Sequence, residues 1–404
     1  MHVLIYEPYY AGHRLHHVAR MLPALTEMRG PVSRITLVTS MAAPASVEYR
    51  THMKSWEDKI EVDAGAPRLS EIGLEAARQS AEYFRATLQR LRPDHVYVPN
   101  ADGMAQVLGS ARLRGRRPVP RGLPIEALLL RGAFAYPQAN LFAGLRARAS
   151  WELARRGPWA TLFHLDPIVW QALPPRQRKL ISLMPEPMLA PPPQSTGDAR
   201  RALGLDPAGR YIGSAGVMDE RKGADLLIRA FAAAQLDTDD RLLLAGPQSP
   251  GVRQLLIGPH ADLVRAGRII SFDRYLGEEM LTAISAMDLV ATPYPRHVGS
   301  ATIVIRAAAA GRPVLGSDFG WVGYIVPRFG LGKSVDVTNI RLFASALRTA
   351  LDAAGNHQIT AAGRRFLEFH TPANYGAAWT KLLRRRLNLS ATTCGRDWDW
   401  VLEG

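Results

Sequence analysis

The sequence predicts an α/β protein made of two doubly wound parallel-sheet halves. Three observations carry this reading. The chain has 404 residues, more than one ordinary hydrophobic core accommodates. Short apolar runs alternate with helical periodicity along most of its length, which is the pattern of a parallel sheet crossed by helices. That alternation is interrupted by "MPEPMLAPPPQSTGDA" at 184–199, a proline-rich stretch without period that reads as a linker.

In the first half, "HVLIYEP" (2–8) has the continuous apolar character of a buried strand. A Gly-containing turn follows, then a helix with Leu15, Val18, Leu22 and Leu25 on one stripe. Strands are expected at 34–40, 93–103, 125–132 and 159–166, with a strong helix at 74–91. After the linker the alternation resumes. Strands are expected at 210–216, 241–247, 268–273, 288–294 and 312–318, and helices at 223–234, 278–287, 301–311, 341–354 and 375–387. The expected organisation is therefore 1–183, a first domain on the acceptor side; 184–199, the linker; 200–370, a second domain; 371–390, a terminal helix returning to the first domain; and 391–404, a tail. Two such halves would face one another across a cleft. Ligands of open α/β sheets bind beyond the carboxyl ends of the strands, so functional residues should follow strands.

Composition narrows the class. Apolar residues make up 47% of the chain, enough for packed cores, and the formal charge is +14. Such a charge favours anionic partners such as nucleotides, nucleic acid or lipid headgroups. An arginine-rich codon bias would give the same balance without a partner. No RNA- or DNA-binding motif accompanies the charge, so no nucleic-acid partner is expected. The single cysteine, Cys394, rules out an intrachain disulfide and a cysteine-based metal cluster. The opening "MHVLIYEPYY" lacks the basic and apolar regions of a signal peptide. No run approaches the roughly 18 apolar residues that span a bilayer. A cytoplasmic location follows as an expectation, with membrane association open.

The stretch "HVGSATIVIRAAAAGRPVLGSDFG" (297–320) combines a Gly-Ser-Ala-Thr turn with a following helix. Unbonded N–H groups at a helix N-terminus suit a phosphate. Gly299, Ser300, Ala301 and Thr302 are the residues concerned. The alternative for them is ordinary capping by Ser300 or Thr302. Together with "GVMDERKGADLLIRAF", "RLLLAGP" and "RIISFDRYLGEEMLTAISAMDLVATPY", this stretch resembles the C-terminal half of retaining glycosyltransferases of family 4. The resemblance covers roughly 180–370, and only "EPYYAGHRLHHV" extends it into the first half.

That resemblance implies the GT-B fold, two Rossmann-like domains across a cleft. It further implies transfer of a hexose-type sugar from a nucleotide-diphosphate donor to a hydroxyl acceptor, with no metal or other cofactor required, in bacterial glycan biosynthesis. The acceptor could be a glycan, a lipid-linked molecule or a small molecule. Lys222, beside Arg221, matches the family's diphosphate lysine. The companion arginine's slot holds Val217, and the slots of the family's two glutamates hold Val298 and Arg306. Arginine offers only donors and stays charged, so Arg306 cannot accept the protons of a ribose diol. It suits a phosphate or carboxylate. The readings of Arg306 are an ordinary sugar nucleotide with its ribose held by other groups, a donor with extra negative charge, a catalytically silent relative that binds nucleotide or glycan, and a plain surface arginine reaching solvent or Asp318. A nucleotide-sugar epimerase on the same fold is a further alternative.

In the first half, Gly12 permits a tight turn, and His13 after it is a candidate general base. His13, His16 and His17 have the spacing of one helix face, but nothing nearby completes a metal site. Asp102 in "PNADG" and His164 in "FHLDP" follow strands and are candidate catalytic groups, with turn chemistry as the alternative for both. Glu7, Asn100, Asp166, Asp273, Arg274, Arg296 and His297 hold similar positions. Finally, "NLFAGLRARASWELARRGPW" (140–159) is basic and amphipathic, and could touch an anionic membrane or pack on the core.

Overall fold

The computed structural model describes residues 1–12, 14–68, 73–190 and 194–390. The chain divides into two compact units, Met1–Pro187 with Thr371–Gly404, and Met188–His370. His13 and the 391–404 tail lie outside the described residues.

The first unit holds β1 (His2–Tyr6), β2 (Arg34–Ser40), β3 (Glu61–Ala66), β4 (His95–Val98), β5 (Ile125–Leu129), β6 (Thr161–His164) and β7 (Ile181–Leu183). They form one sheet in the order β3-β2-β1-β4-β5-β6-β7. Every pairing is parallel. Parallel strands are covered on both faces, and β4 and β5 accordingly are buried throughout. Edge strand β3 is different. It carries exposed Glu61 and Gly65, and Arg34 forks onto Glu61 at 2.6–2.9 Å. A charged edge discourages pairing with another chain.

The last helix, Pro372–Arg386, belongs to this unit. Its Tyr375, Trp379 and Leu383 are fully buried in one cluster with Leu15, Val18 and Leu22 of the helix Arg14–Thr26. Close packing requires Gly376, where a Cβ would stand 2.8 Å from that of Ala24. The Trp379 ring sits edge-on to Tyr97 and Phe163, at 5.5 and 4.9 Å, tying the helix to the sheet.

The second unit holds β8 (Arg210–Ala215), β9 (Asp240–Ala245), β10 (Ile269–Phe272), β11 (Leu289–Thr292), β12 (Val314–Ser317) and β13 (Gly332–Val335), in the order β10-β9-β8-β11-β12-β13. These pairings are parallel too. In both units the strand order reverses once, between β1 and β4 and between β8 and β11. Such a reversal splays the following loops apart and leaves a crevice.

The proline-rich stretch ends in a helix, Thr196–Ala202, capped by Ser195, whose hydroxyl accepts from Asp198 N. Arg200 on that helix is buried. It donates to the carbonyls of Ala286 and Pro207 and pairs with Asp288 at 2.6 Å. Strands β3, β7 and β13 were not among the sequence expectations. They are short or partly exposed, without an apolar run to mark them.

Candidate functional site

The reversal point of the second sheet gathers the basic candidates. After β8 the chain turns at Gly216, with φ 108°, and reaches a short turn at Glu220–Lys222. The Asp219 carboxylate caps that turn by accepting from Lys222 N at 2.9 Å. Gly223 follows with φ 68° and starts the helix Ala224–Ala233. A Cβ on Gly223 would lie 2.0 Å from the carbonyl oxygen of Pro293, in the loop after β11. Glycine at this position therefore allows the two loops flanking the crevice to touch.

Lys222 lies at this junction. Its Nζ is 5.7 Å from the centre of the Tyr294 ring and 3.1 Å from where a Cβ on Gly216 would stand. Loss of water lowers its pKa to about 8, helped by the charges of Arg221 and Arg306 and opposed by Asp219. Tyr294 is buried, and the His297 ring meets it edge-on at 5.2 Å. Nε2 of His297 is 3.1 Å from the Ser300 carbonyl oxygen. Burial, with lesser contributions from Arg221 and Lys222, lowers the His297 pKa, so this ring is neutral at pH 7.

Gly299, with φ 106°, Ser300 and Ala301 lead into the helix Thr302–Ala309. Its N-cap residue is Ala301, and no side chain caps it. The capping alternative for Ser300 and Thr302 is thus not what the structure has. Arg306 is partly buried on this helix, its Nη1 3.1 Å from Sδ of Met280. Its charge is the smallest of the contributions that shift the Lys222 pKa. Lys222, Arg221 and Asp219 surround His297 before this helix, with Arg221 paired to Asp219 at 3.4 Å, while Arg306 belongs to the helix's last turn. Val298 is partly buried and Val217 is exposed on the turn after β8.

The first unit distributes its candidates differently. Gly12 has φ 74°, and nothing lies within 4 Å of where its methyl carbon would stand as alanine, so turn geometry rather than close approach calls for glycine. Asp102 accepts from the backbone N–H groups of Leu130 at 2.8 Å and Arg131 at 3.2 Å, bridging the loops after β4 and β5. Loss of water nonetheless raises its carboxyl pKa. Asp102→Ala should lower stability by about 1–2 kcal/mol through those orphaned donors, read as a fall in the urea midpoint.

His164 is fully buried in β6, beside the Trp151 ring. Its Nδ1 accepts from Asp166 N at 3.0 Å, which leaves the ring proton on Nε2. Burial lowers its pKa to about 3, so the ring is neutral across the physiological range. The side chain has no exposed surface, and its Nε2 meets no hydrogen-bond partner among the described residues. Asp166 is buried likewise. It caps the helix Pro167–Gln171 and accepts from the Tyr136 hydroxyl.

Around the first sheet's reversal point, Glu7 is buried 3.9 Å from Arg14, and Asn100 faces the same guanidinium. His17 is buried between Glu186 at 3.8 Å and the Tyr375 hydroxyl at 3.2 Å. No group of three potential metal ligands occurs among the described residues. Asp273 accepts from Gln248 N and pairs with Arg253, and Arg274 pairs with Glu279, so both serve loop geometry in the second unit. Tyr294, Gly223 and Met280 escaped the sequence reading. The "ATPYP" motif was the available signal for the tyrosine, and nothing local marked the other two.

Comparison with known proteins agrees with the two-sheet fold. Residues 209–353 match the family described as glycosyl transferases group 1. A D-inositol 3-phosphate glycosyltransferase of Rhodococcus jostii is 30% identical over 172 residues, 40% of this chain and 37% of that relative. The match thus spans little more than a third of the relative's length. Among solved structures, sucrose-phosphate synthase from Thermosynechococcus elongatus superposes with a TM-score of 0.69 at 17% identity, covering 96% of this chain and 99% of that one. HepE of Anabaena, in complex with UDP and glucose, superposes with a TM-score of 0.66 at 15% identity over 95% of this chain and 100% of that one. No helix among the described residues is long and apolar enough to cross a membrane. The chain has the GT-B fold, two Rossmann-like parallel sheets, and residues 209–353 of its second unit match the glycosyl transferases group 1 family.

Proposed function

We propose that the protein is a hexosyltransferase-like enzyme that moves a sugar from a nucleotide-diphosphate donor to a hydroxyl acceptor. The observation that carries this is the meeting of the loops after β8 and β11, where Lys222 faces the Tyr294 ring, His297 meets that ring and the Ser300 carbonyl, and the helix Thr302–Ala309 that follows has no side-chain cap. In the reaction, the bond from the anomeric carbon to the diphosphate oxygen breaks. A bond from that carbon to the acceptor oxygen forms, and the acceptor's proton leaves with the diphosphate or a nearby base. Negative charge grows on the departing diphosphate, so fixed N–H groups and cations aimed there stabilise the transition state more than the ground state. Retention of configuration, as in family 4, fits the motif resemblance. The donor residues proposed are Arg221, Lys222, Gly299, Ser300, Ala301, Thr302 and Arg306, with Gly12 at the first unit's turn. His13 and Asp102 are the acid–base groups to test there. The proposed setting is cytoplasmic bacterial glycan synthesis, since the matched curated relatives are bacterial glycosyltransferases.

Calorimetry with UDP, GDP and ADP tests the reading. Because HepE is seen with UDP and UDP-glucose, UDP is the first ligand to try. Micromolar binding, about −8 kcal/mol, of one diphosphate is expected. Arg306→Glu should weaken it about tenfold or more, by exchanging a cation for an anion beside Lys222. Absence of binding by all three would sink the proposal. A second reading, a non-catalytic relative that binds a nucleotide or glycan, is favoured by one observation: Val298 and Arg306 occupy the slots of the family's carboxylates. Diphosphate binding without donor turnover, across a panel of hydroxyl acceptors, would select it.

A further inference from the structure

The helix Leu141–Arg155 presents an apolar face that the fold does not cover. Leu141, Phe142 and Leu145 are 75%, 82% and 56% exposed. The opposite side of the helix is firmly seated. Trp151 and Ala154 are buried, and a Cβ on Gly109 would lie 1.7 Å from the Leu153 carbonyl oxygen, so this helix packs backbone-close on the helix Ala105–Leu113. Arg112 donates to the Gly157 carbonyl and Trp159 to the Ala154 carbonyl, fixing its far end. Asn140 caps the near end by accepting from Ala143 N at 2.9 Å. The exposed leucines and phenylalanine are thus held out on a rigid support.

The charges beside Leu141, Phe142 and Leu145 at this end of the helix have one sign, and the acid on the same arc, Glu152, lies near its far end. At about 100° of turn per residue, the exposed surface runs from Arg148 through Leu141, Leu145, Ala149 and Phe142 to Arg146. Arg146 and Arg148 are exposed and make no ion pair among the described residues. Between Glu126 and Asp166 the sequence has five arginines and a single acid, Glu152, which pairs with Arg155 and Arg156. An apolar strip bordered on both sides by arginine matches the boundary between headgroups and acyl chains of an anionic bilayer. A protein partner would have to supply an apolar patch ringed wholly by acids.

We propose that this face docks the protein on an anionic lipid surface. Leu141, Phe142 and Leu145 enter the acyl boundary, while Arg146 and Arg148 meet lipid phosphates. The inference goes beyond the donor-site reading and does not depend on it. The test is cosedimentation of the full chain with vesicles of phosphatidylcholine, with and without phosphatidylglycerol. Binding is expected to the mixed vesicles and not to phosphatidylcholine alone, and it should fall as salt is raised. The pair Phe142→Ser and Leu145→Ser should weaken binding about tenfold or more. The pair Arg146→Gln and Arg148→Gln should do so about tenfold and flatten the salt dependence. Both variants should keep the thermal midpoint, because these side chains are solvent-exposed. Failure to bind the mixed vesicles overturns the proposal, as does equal binding by both variants. Light scattering that shows self-association, lost in the serine variant and without lipid binding, overturns it in favour of a second copy of the chain.

Discussion

Lys222→Met is expected to weaken diphosphate binding about 10- to 100-fold, since a hydrogen bond to a charged group contributes about 1.5–3 kcal/mol. The fold should tolerate the change. In the ligand-free protein the lysine has lost water, and two arginines oppose its charge, so its pKa falls to about 8 from 10.5. Below pH 8 it is charged in folded and unfolded chains alike, and the folded state carries the full penalty. As pH rises from 8 towards 10.5, the folded chain sheds this proton while the unfolded chain keeps it. The group's effect on stability therefore becomes less unfavourable over that window. Methionine removes the penalty, and the unfolding midpoint at pH 7 should stay level or rise.

The same lysine sets the pH response of binding. A bound diphosphate favours the ammonium form, so binding above pH 8 draws a proton from solution. Affinity should hold from pH 6.5 to about 8 and then decline, and Lys222→Met should lose that decline. Calorimetry in buffers of differing ionisation heat reads the proton uptake directly. A wild-type affinity that stayed flat to pH 9.5 would remove Lys222 from the site. Burial lowers the pKa of His297, which moves its titration away from the window above pH 8 where the decline is read.

The sequence made the alternation of strands and helices legible because buried parallel strands are short apolar runs. β2 and the helix Leu74–Leu91 match their expected spans. Most other strands end one to five residues early, because the polar residues after them already belong to loops. Edge strands β3, β7 and β13 have no such signature. Lys222 and Arg306 were visible because motifs at fixed spacing bracket them. What the motif could not show is how the loops after β8 and β11 meet around Lys222. His164 shows where that signal is ambiguous. A polar residue at a strand's end reads the same whether it points into a crevice or a core, and β6 and the Trp151 ring enclose it. Asp102 was legible as a carboxylate after a strand, but its hold on the backbone N–H groups of Leu130 and Arg131, 28 and 29 residues further along the chain, was not.

Gly223→Ala should lower the stability of the second unit by about 3 kcal/mol, more than a positive φ alone explains. Two effects add there. An alanine at φ 68° costs about 1 kcal/mol. The new methyl carbon would also fall 2.0 Å from the Pro293 oxygen, a backbone atom that cannot swing aside as a flexible side chain would. Gly311 separates the two effects. It has φ 70° and nothing within 4 Å of the methyl position, so Gly311→Ala should cost only the conformational part, about 1 kcal/mol. Urea midpoints of the two variants give the comparison. Equal losses would mean that the contact between the loops after β8 and β11 contributes nothing. A larger loss at Gly223 should be accompanied by weaker diphosphate binding, because relief of the clash must displace either Pro293, next to Tyr294, or the turn that carries Lys222. Gly311→Ala should leave that binding close to the wild-type value.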